Sequence, residues 1–381
     1  MTRSNHRKAS PAKSTAAVPP NYWDYIRVDA LLALQGGLEG DEGQLSNDEV
    51  LFITAHQVFE LWFKLILREL RSLRDFFHRD PVEDQHLARA VESIRRVVTL
   101  YQRCAAHFPV LETMSTRSYL AFRDKLSPAS GFQSAQMRQI EIVLGLPDEQ
   151  RIALESGENY LDALRSHDGT ESPALRRVLE EKKGVSLKQA VDEWLFRTPI
   201  DGVGPGRKNA ADALARFITG YTAAHAGEIE RIRDLAASRA RRPSETAALH
   251  ERFAKEQQRL VDFLNPSEAE GGVRRARIRA AALFIHQNPE LPLLAWPREV
   301  LRGLVELEQS MLIFRQRHAR MVERVIGRRI GTGGSSGVDY LDRTALAYRV
   351  FEDLWAIRTF QVQAAANPPA REPEFYGFRN G

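Results

Sequence analysis

The chain has 381 residues, which is enough for one large domain or two ordinary ones. Hydrophobic residues make up 43% of it, so a sizeable core is possible and global disorder is excluded. Cys104 is the only cysteine, and this excludes an internal disulfide and a zinc site built from several cysteines. Such cysteine usage indicates a reducing, cytoplasmic compartment.

The formal net charge is +4, but the basic residues are interleaved with acidic ones along the chain. This pattern is typical of solvated helix faces, so we expect no nucleic-acid partner. No uninterrupted apolar run reaches the roughly 18–20 residues of a membrane span, and no membrane association is expected. Residues 1–20 are polar and basic and lack the apolar region of a secretory signal, which predicts a disordered tail.

Hydrophobic residues recur at spacings of three and four along most of the chain, which predicts an all-α protein without strands. We expect one helical domain over 21–363, with a smaller and more polar helical subdomain at about 150–250. Residues 364–381 are rich in Pro, Arg and Gly and are predicted to form a flexible tail. The predicted helices cover 49–79, 84–107, 133–145, 172–183, 186–196, 208–238, 250–264, 275–286, 297–327 and 343–363.

Two histidines occupy apolar-stripe positions on long predicted helices, His56 on the first and His318 near the end of the 297–327 helix. A neutral imidazole in a helical bundle is a good iron ligand. A second interpretation is a structural core histidine whose two ring nitrogens are both hydrogen-bonded, because such a residue occupies the same positions. Glu60 lies one turn after His56, so a non-haem iron site of His56, Glu60 and His318 is a third interpretation. Spacing alone leaves all three open.

Two further segments carry polar residues in patterns that suit anion binding. In 118–138, Tyr119 and Arg123 share one helical face, and an arginine fork there suits a carboxylate. A surface arginine beside an interhelical turn explains the same spacing. The segment GTGGSSG at 331–337 offers backbone N–H groups and Thr332 to an anion, or forms a mobile lid or an ordinary flexible loop.

Four segments together resemble the tryptophan 2,3-dioxygenases, and weaker similarity extends the resemblance over about 22–363. The resemblance implies an all-α bundle that encloses a b-type haem, with ferrous iron, O2 as co-substrate and a homotetramer as the usual assembly. The segments are YWDYIRVDALLALQ at 22–35, DEVLFITAHQVFELWFKLILREL at 48–70, FRDKLSPASGFQSAQMR at 122–138 and RHARMVERVIGRRIGTGGSSG at 317–337.

Carried over by these motifs, His318 corresponds to the proximal histidine that ligates the haem iron. His56 corresponds to the distal histidine on the oxygen side and is the expected catalytic residue. Ser130 and Gly131 match a loop beside the haem. The resemblance therefore assigns the cofactor to two separate helices and one loop.

The same motifs imply a substrate pocket. Phe52 matches an aromatic residue that lines the indole pocket, and Tyr119 matches another pocket aromatic. Arg123 matches the arginine that pairs with the substrate carboxylate. Thr332 matches a threonine that contacts the ammonium and carboxylate groups of the amino acid.

The N-terminal segment is implied to act between subunits. Tyr22 and Tyr25 match residues that in the family reach into the site of a neighbouring subunit. The expected partners are therefore L-tryptophan, or a close indole amino acid, and further copies of the chain with exchanged N-terminal segments.

The implied reaction is insertion of O2 across the indole C2–C3 bond of L-tryptophan to give N-formylkynurenine, the first step of tryptophan catabolism. The chain departs from the family pattern at 47–49, at 337–341 and through extra sequence between 35 and 47. These departures leave open a haem enzyme of the same fold that mono-oxygenates a modified tryptophan. A non-catalytic haem-binding protein is a separate alternative. A further alternative is a purely structural helical protein without haem.

Overall fold

The computed structural model describes residues 21–126, 133–152, 159–166, 168–238, 243–329 and 337–377. Three of the predicted site residues, Ser130, Gly131 and Thr332, lie outside these ranges. The predicted N-terminal tail and most of the glycine-rich segment lie outside them as well.

The chain divides into two compact units, of which one ends at Thr54 and the other begins at Ala55. The first unit contains two short helices, α1 (Tyr22–Tyr25) and α2 (Val28–Leu32), and neither buries a residue. It also contains the start of α3 (Asn47–Phe77), which continues in the second unit. The polar section at about 150–250 falls within the second unit.

The all-α prediction is confirmed, because the described residues contain no strand and only an isolated bridge between Ile200 and Val203. Most predicted helices begin and end within a few residues of the predicted bounds. After α3 the α-helices are α4 (Leu87–Leu111), α5 (Thr116–Leu126), α6 (Ala135–Leu144), α7 (Pro173–Glu181), α8 (Leu187–Arg197), α9 (Ala210–Ala237), α10 (Pro243–Leu264), α11 (Gly272–Gln287), α12 (Ala295–Ile326), α13 (Gly337–Ala347) and α14 (Glu352–Phe360).

Helix α12 is the central element for the site, and its predicted apolar stripe is confirmed. The stripe residues Leu304, Met311 and Phe314 are buried. Helix α4 packs closely against α12, since a Cβ atom at Gly303 would lie 2.8 Å from Cγ2 of Ile94. Only glycine permits this approach of the two helices.

Helix α4 corrects the prediction that Phe108 and Pro109 end a helix at residue 107. The helix continues through Pro109 to Leu111, although proline removes one backbone donor from a helix. Phe108 and Leu111 are both buried, and the N–H of Glu112 donates to the carbonyl of Phe108 at 3.0 Å. Burial of these side chains offsets the lost hydrogen bond and keeps the last turn helical.

The predicted helix over 343–363 is wrong, because two helices, α13 and α14, meet at a break near residue 350. Glu308 of α12 causes the break. Its buried carboxylate accepts the backbone N–H groups of Val350 and Phe351 and the indole N–H of Trp355. A buried carboxylate needs such donors, and here they come from backbone that has left the helix.

The segment expected to be a flexible C-terminal tail makes specific contacts as far as residue 377. Tyr376 is 2% exposed, and its hydroxyl donates to the carbonyl of Pro199 at 2.9 Å. The amide of Asn367 donates to the carbonyl of Gln287 at 2.9 Å. These contacts tie the segment to the body of the second unit.

The sequence predicts no segment that is long and apolar enough to cross a membrane, and α3 is the helix that tests this prediction. By length and composition alone α3 meets that description, and 28% of its apolar window is buried. Core helices of soluble proteins meet it too, and Ile66, Leu70 and Phe77 of α3 are fully buried. The helix is therefore weak evidence for a membrane span.

Candidate functional site

His318 lies on α12, where its ring stacks against an aromatic side chain of α4. The centroids of the His318 and Phe108 rings are 5.4 Å apart, and the ring planes differ by 6°. Phe314, one turn earlier on α12, lies 6.3 Å from the His318 ring. The imidazole is therefore held in a fixed orientation by apolar rings on two helices.

Phe59 of α3 completes an aromatic wall around this position. Its ring centroid lies 5.0 Å from that of Phe108 and 6.1 Å from that of Phe314. Three helices thus contribute rings to one apolar region, and an apolar surface lined by aromatic rings suits a flat, apolar ligand.

The environment of His318 keeps its imidazole neutral. Burial, reinforced by the nearby His56 and by the guanidinium of Arg315, lowers the pKa of His318 to about 4. At neutral pH a nitrogen lone pair is therefore available, which is the form in which histidine binds a metal. Haem proteins hold iron through such a histidine in an apolar setting, so the residues present fit a haem.

His56 lies on α3, and a series of ring contacts through Phe59 and Phe108 connects its imidazole with that of His318. Its side chain is exposed, and its ring centroid is 6.3 Å from that of Phe59. The two histidines come from different helices, as the motifs imply. One lies in an aromatic wall, and the other lies at its accessible side.

Glu60 does not take part in a metal site of the kind considered for non-haem iron. Its carboxylate accepts hydrogen bonds from the hydroxyl of Ser134 at 2.6 Å and from the amide of Gln136 at 2.7 Å. In the part of the chain that the structure describes, no three His, Cys, Asp or Glu side chains form a group able to hold a metal. Glu60 instead supports the start of α6.

Tyr119 and Arg123 lie on α5, one turn apart as predicted. Tyr119 is buried, and burial raises the pKa of its hydroxyl although the hydrogen-bonded guanidinium of Arg123 lowers it. The hydroxyl of Thr116, at the start of α5, donates to the carbonyl of Val325 at 2.7 Å. This bond ties the start of α5 to α12 about two turns after His318. The guanidinium of Arg123 is half-buried.

The remaining predicted residues that the structure describes lie in the first unit. Phe52 is on α3 and is partly exposed. Tyr22 and Tyr25 are on α1 and are 75% and 78% exposed. The two tyrosines are therefore largely open to solvent.

Two residues of α4 that sequence reasoning did not assign to the site lie next to it. Phe108 stacks on His318. His107 meets Phe59 edge-on with centroids 5.0 Å apart, and its buried Nε2 has no hydrogen-bond partner among the described residues. Phe108 continues the three- and four-residue spacing of buried α4 positions. This spacing could have predicted its burial, but Pro109 led to the prediction that the helix ends at residue 107.

A neutral histidine within an aromatic wall, with a second histidine from another long helix near that wall, defines a helical protein suited to a planar metal cofactor. Comparison with known proteins then gives the family. The family profile described as tryptophan 2,3-dioxygenase matches residues 6–361, and the chain belongs to this family.

Named relatives agree with this assignment. A tryptophan 2,3-dioxygenase of Sorangium cellulosum is 50% identical, with 98% of this chain and 91% of the relative covered. A protein of Ralstonia nicotianae named tryptophan 2,3-dioxygenase 2 is 50% identical, with 94% and 98% covered. A tryptophan 2,3-dioxygenase B of Danio rerio is 34% identical, with 90% and 82% covered.

Proposed function

We propose that this protein is a haem-dependent dioxygenase that adds both atoms of O2 across the indole C2–C3 bond of L-tryptophan, giving N-formylkynurenine. The observation that carries the proposal is the neutral imidazole of His318, stacked on Phe108 and close to His56. Membership of the tryptophan 2,3-dioxygenase family supplies the substrate class.

In this proposal His318 ligates the iron of a b-type haem through its lone pair. The haem, in its ferrous form, supplies the redox chemistry that activates O2. Phe108 and Phe314 hold the imidazole in place, and Ser130 and Gly131 are proposed to lie beside the haem. The protein contributes orientation and exclusion of water.

Arg123 is proposed to hold the substrate carboxylate through its guanidinium fork. Its hydrogen bond with the buried Tyr119 limits the number of positions that the fork can take. Thr332 is proposed to contact the ammonium and carboxylate groups, and Phe52 to line the indole pocket. Fixing both ends of the amino acid places the reacting bond and lowers the entropic cost of reaction.

His56 is proposed to orient the substrate by accepting a hydrogen bond from the indole N–H. Its side chain is exposed, and its ring centroid lies 6.3 Å from that of Phe59 in the aromatic wall. His56 would hold the indole N–H in place, and this role does not require the indole to lose its proton.

The N-terminal unit supports a homotetramer in which Tyr22 and Tyr25 reach the site of a neighbouring subunit. Helices α1 and α2 bury no residue of their own. Their exposed apolar side chains would be costly in water without a cover, and a second copy of the chain is the proposed cover. We also propose a cytoplasmic location, in keeping with the single cysteine.

Product mass tests the function. Reduced, haem-loaded protein is incubated with L-tryptophan and isotopically labelled O2, and the product is analysed by mass spectrometry. Incorporation of two labelled atoms supports the dioxygenase. One labelled atom indicates the mono-oxygenase, a Soret band without turnover indicates a non-catalytic haem protein, and absence of any Soret band contradicts haem binding.

Replacing Arg123 by Ala should raise the KM for L-tryptophan by about 10- to 150-fold, because a charge-assisted bidentate contact contributes about 1.5–3 kcal/mol. The same change should have little effect on tryptamine, which lacks the carboxylate. Steady-state oxygen consumption with both substrates measures the effect.

Arg117→Ala is the matched control, because Arg117 is an exposed arginine on the same helix. It should leave both KM values unchanged. An Arg123→Ala enzyme that still prefers tryptophan over tryptamine by the wild-type factor would contradict the proposed clamp.

Replacing His56 by Ala should lower kcat for L-tryptophan while haem content stays at the wild-type level. The effect should be smaller with 1-methyltryptophan, whose indole nitrogen has no proton to donate. His78→Ala, an exposed histidine just after the same helix, is the control and should behave as wild type. Unchanged kcat in the His56 variant would remove this residue from the active site.

A further inference from the structure

His107 of α4 lies against the turn of α3 that carries His56. Its ring meets that of Phe59 edge-on, with the centroids 5.0 Å apart and the ring planes at 82°. Its imidazole also donates a hydrogen bond to the backbone carbonyl of Ala55, the residue immediately before His56. Ala55 and Phe59 are four residues apart and share one face of α3. His107 therefore contacts both ends of the turn that includes His56.

The two ring nitrogens of His107 have different roles. Nε2 is buried and has no hydrogen-bond partner among the described residues, so Nδ1 is the nitrogen that donates to Ala55. Burial lowers the pKa of His107, although the contact with the Ala55 backbone raises it. The ring is therefore neutral at neutral pH, with a proton on Nδ1 and a lone pair on the enclosed Nε2.

Packing alone does not explain a histidine at this position of α4. A buried acceptor without a donor costs free energy, and a leucine side chain of similar size would avoid that cost. The nearest buried positions along the helix, Cys104, Phe108 and Leu111, are all apolar. Side chains that lower stability in this way are typical of functional sites. What the histidine adds is a donor for the Ala55 carbonyl.

The contacts of His107 relate the position of His56 to that of His318. Phe108 is the next residue of α4, and its ring stacks on the ring of His318. On the side of α3, the His56 ring lies 6.3 Å from that of Phe59, with the planes at 73°. A rotation of this turn about the axis of α3 would move the His56 imidazole relative to the aromatic wall, and the hydrogen bond of His107 opposes that rotation.

Resting on the proposed function, we infer that His107 is a positioning residue. Its hydrogen bond to Ala55 and its contact with Phe59 hold the turn of α3 in the orientation in which the His56 imidazole meets the indole N–H. The effect on the reaction is exerted through His56 and requires no contact between His107 and the substrate.

His107→Leu should lower kcat for L-tryptophan about tenfold, since small displacements of a catalytic group are costly. The KM should change little, because the proposed carboxylate clamp lies on another helix. His107→Gln keeps a side-chain N–H donor and should recover most of the wild-type kcat. Gln102→Leu is the matched control, because Gln102 is an exposed residue of the same helix, and it should behave as wild type.

A double-mutant cycle shows whether His107 acts through His56. In a His56→Ala background, His107→Leu should lower kcat no further, to within about twofold, because coupled residues are not additive. A residue that acts independently would produce the same loss in both backgrounds.

Two readouts separate positioning from support of the fold. The urea midpoint of His107→Leu should equal or exceed that of wild type, because the unpaired buried nitrogen is removed. In the reduced haem protein, the stretching frequency of bound carbon monoxide reports polar groups beside the ligand. His107→Leu should shift this band towards that of His56→Ala, and Gln102→Leu should leave it unchanged.

Wild-type kcat in His107→Leu overturns the inference, and so does an equal loss of kcat with and without His56. A loss of kcat with a lower urea midpoint, or failure of the variant to fold, assigns His107 to the fold and overturns it as well. If wild type binds haem but does not oxidise tryptophan, the proposed function fails while the carbon monoxide band still tests the inference, and identical bands in wild type and His107→Leu overturn it. If wild type binds no haem, both fail.

Discussion

The His318→Ala variant is expected to purify almost free of haem. Removing an outer partner of a metal ligand already costs about 10- to 100-fold in affinity, and loss of the ligand itself costs more. The helix should survive, because alanine is a good helix former and the aromatic wall supplies its own packing. The ratio of Soret absorbance to protein absorbance measures haem content, and far-UV circular dichroism checks the fold.

His250→Ala is the control for this variant, because His250 is an exposed histidine on α10. It should retain haem at the wild-type ratio. Added imidazole should restore part of the Soret band in His318→Ala, since the truncation leaves space beside Phe108 for a free ligand. A His318→Ala protein with a normal Soret band would reject the assignment of the axial ligand.

The long helices could be predicted from sequence because their burial pattern is local. The apolar stripe of α12 continues past His318 to Met321 and Val325, and all of these apolar positions are buried as expected. Gly327, with φ of +66°, ends the helix near the predicted residue. Local periodicity is sufficient wherever one face of a long helix packs on the core.

Features set by residues distant in sequence could not be predicted. The break between α13 and α14 depends on Glu308, about forty residues earlier, and a helical pattern through that region gives no sign of it. The buried ion pairs of Arg138, Arg151 and Arg315 with Glu141 could not be predicted for the same reason, since an arginine in a helical sequence is typical of the surface. Only tertiary contacts show that these charges are buried.

Periodicity also could not choose among the interpretations of His56 and His318. The motif resemblance made that choice, and the structure supports it by placing Phe108 and Phe59 around His318 and by engaging Glu60 elsewhere. Which side chains surround a histidine depends on how the helices pack, and helical spacing within one segment does not determine that packing.

Replacing Glu141 by Gln should lower the free energy of unfolding of the apo-protein by about 3–5 kcal/mol. The carboxylate of Glu141 contacts the buried guanidinium groups of Arg138, Arg151 and Arg315. The substitution removes this buried counter-charge, and uncompensated buried ions cost about this much. Because domains are stable by only about 5–15 kcal/mol, the variant should unfold at a much lower urea concentration. The exposed pair of Glu180 and Lys183 gives the control: Glu180→Gln should cost at most about 1 kcal/mol.

The destabilisation by Glu141→Gln should depend on pH in a defined direction. Burial raises the pKa of Glu141, but the charges of Arg138, Arg315 and Arg151 outweigh it and lower the value from 4.5 to about 2. A pKa that is lower in the folded state contributes stability fully above 4.5, and this contribution is lost as the pH falls towards 2. The gap in urea midpoint between wild type and variant should therefore narrow in acid, and a gap that widens below pH 4.5 would contradict a charged Glu141.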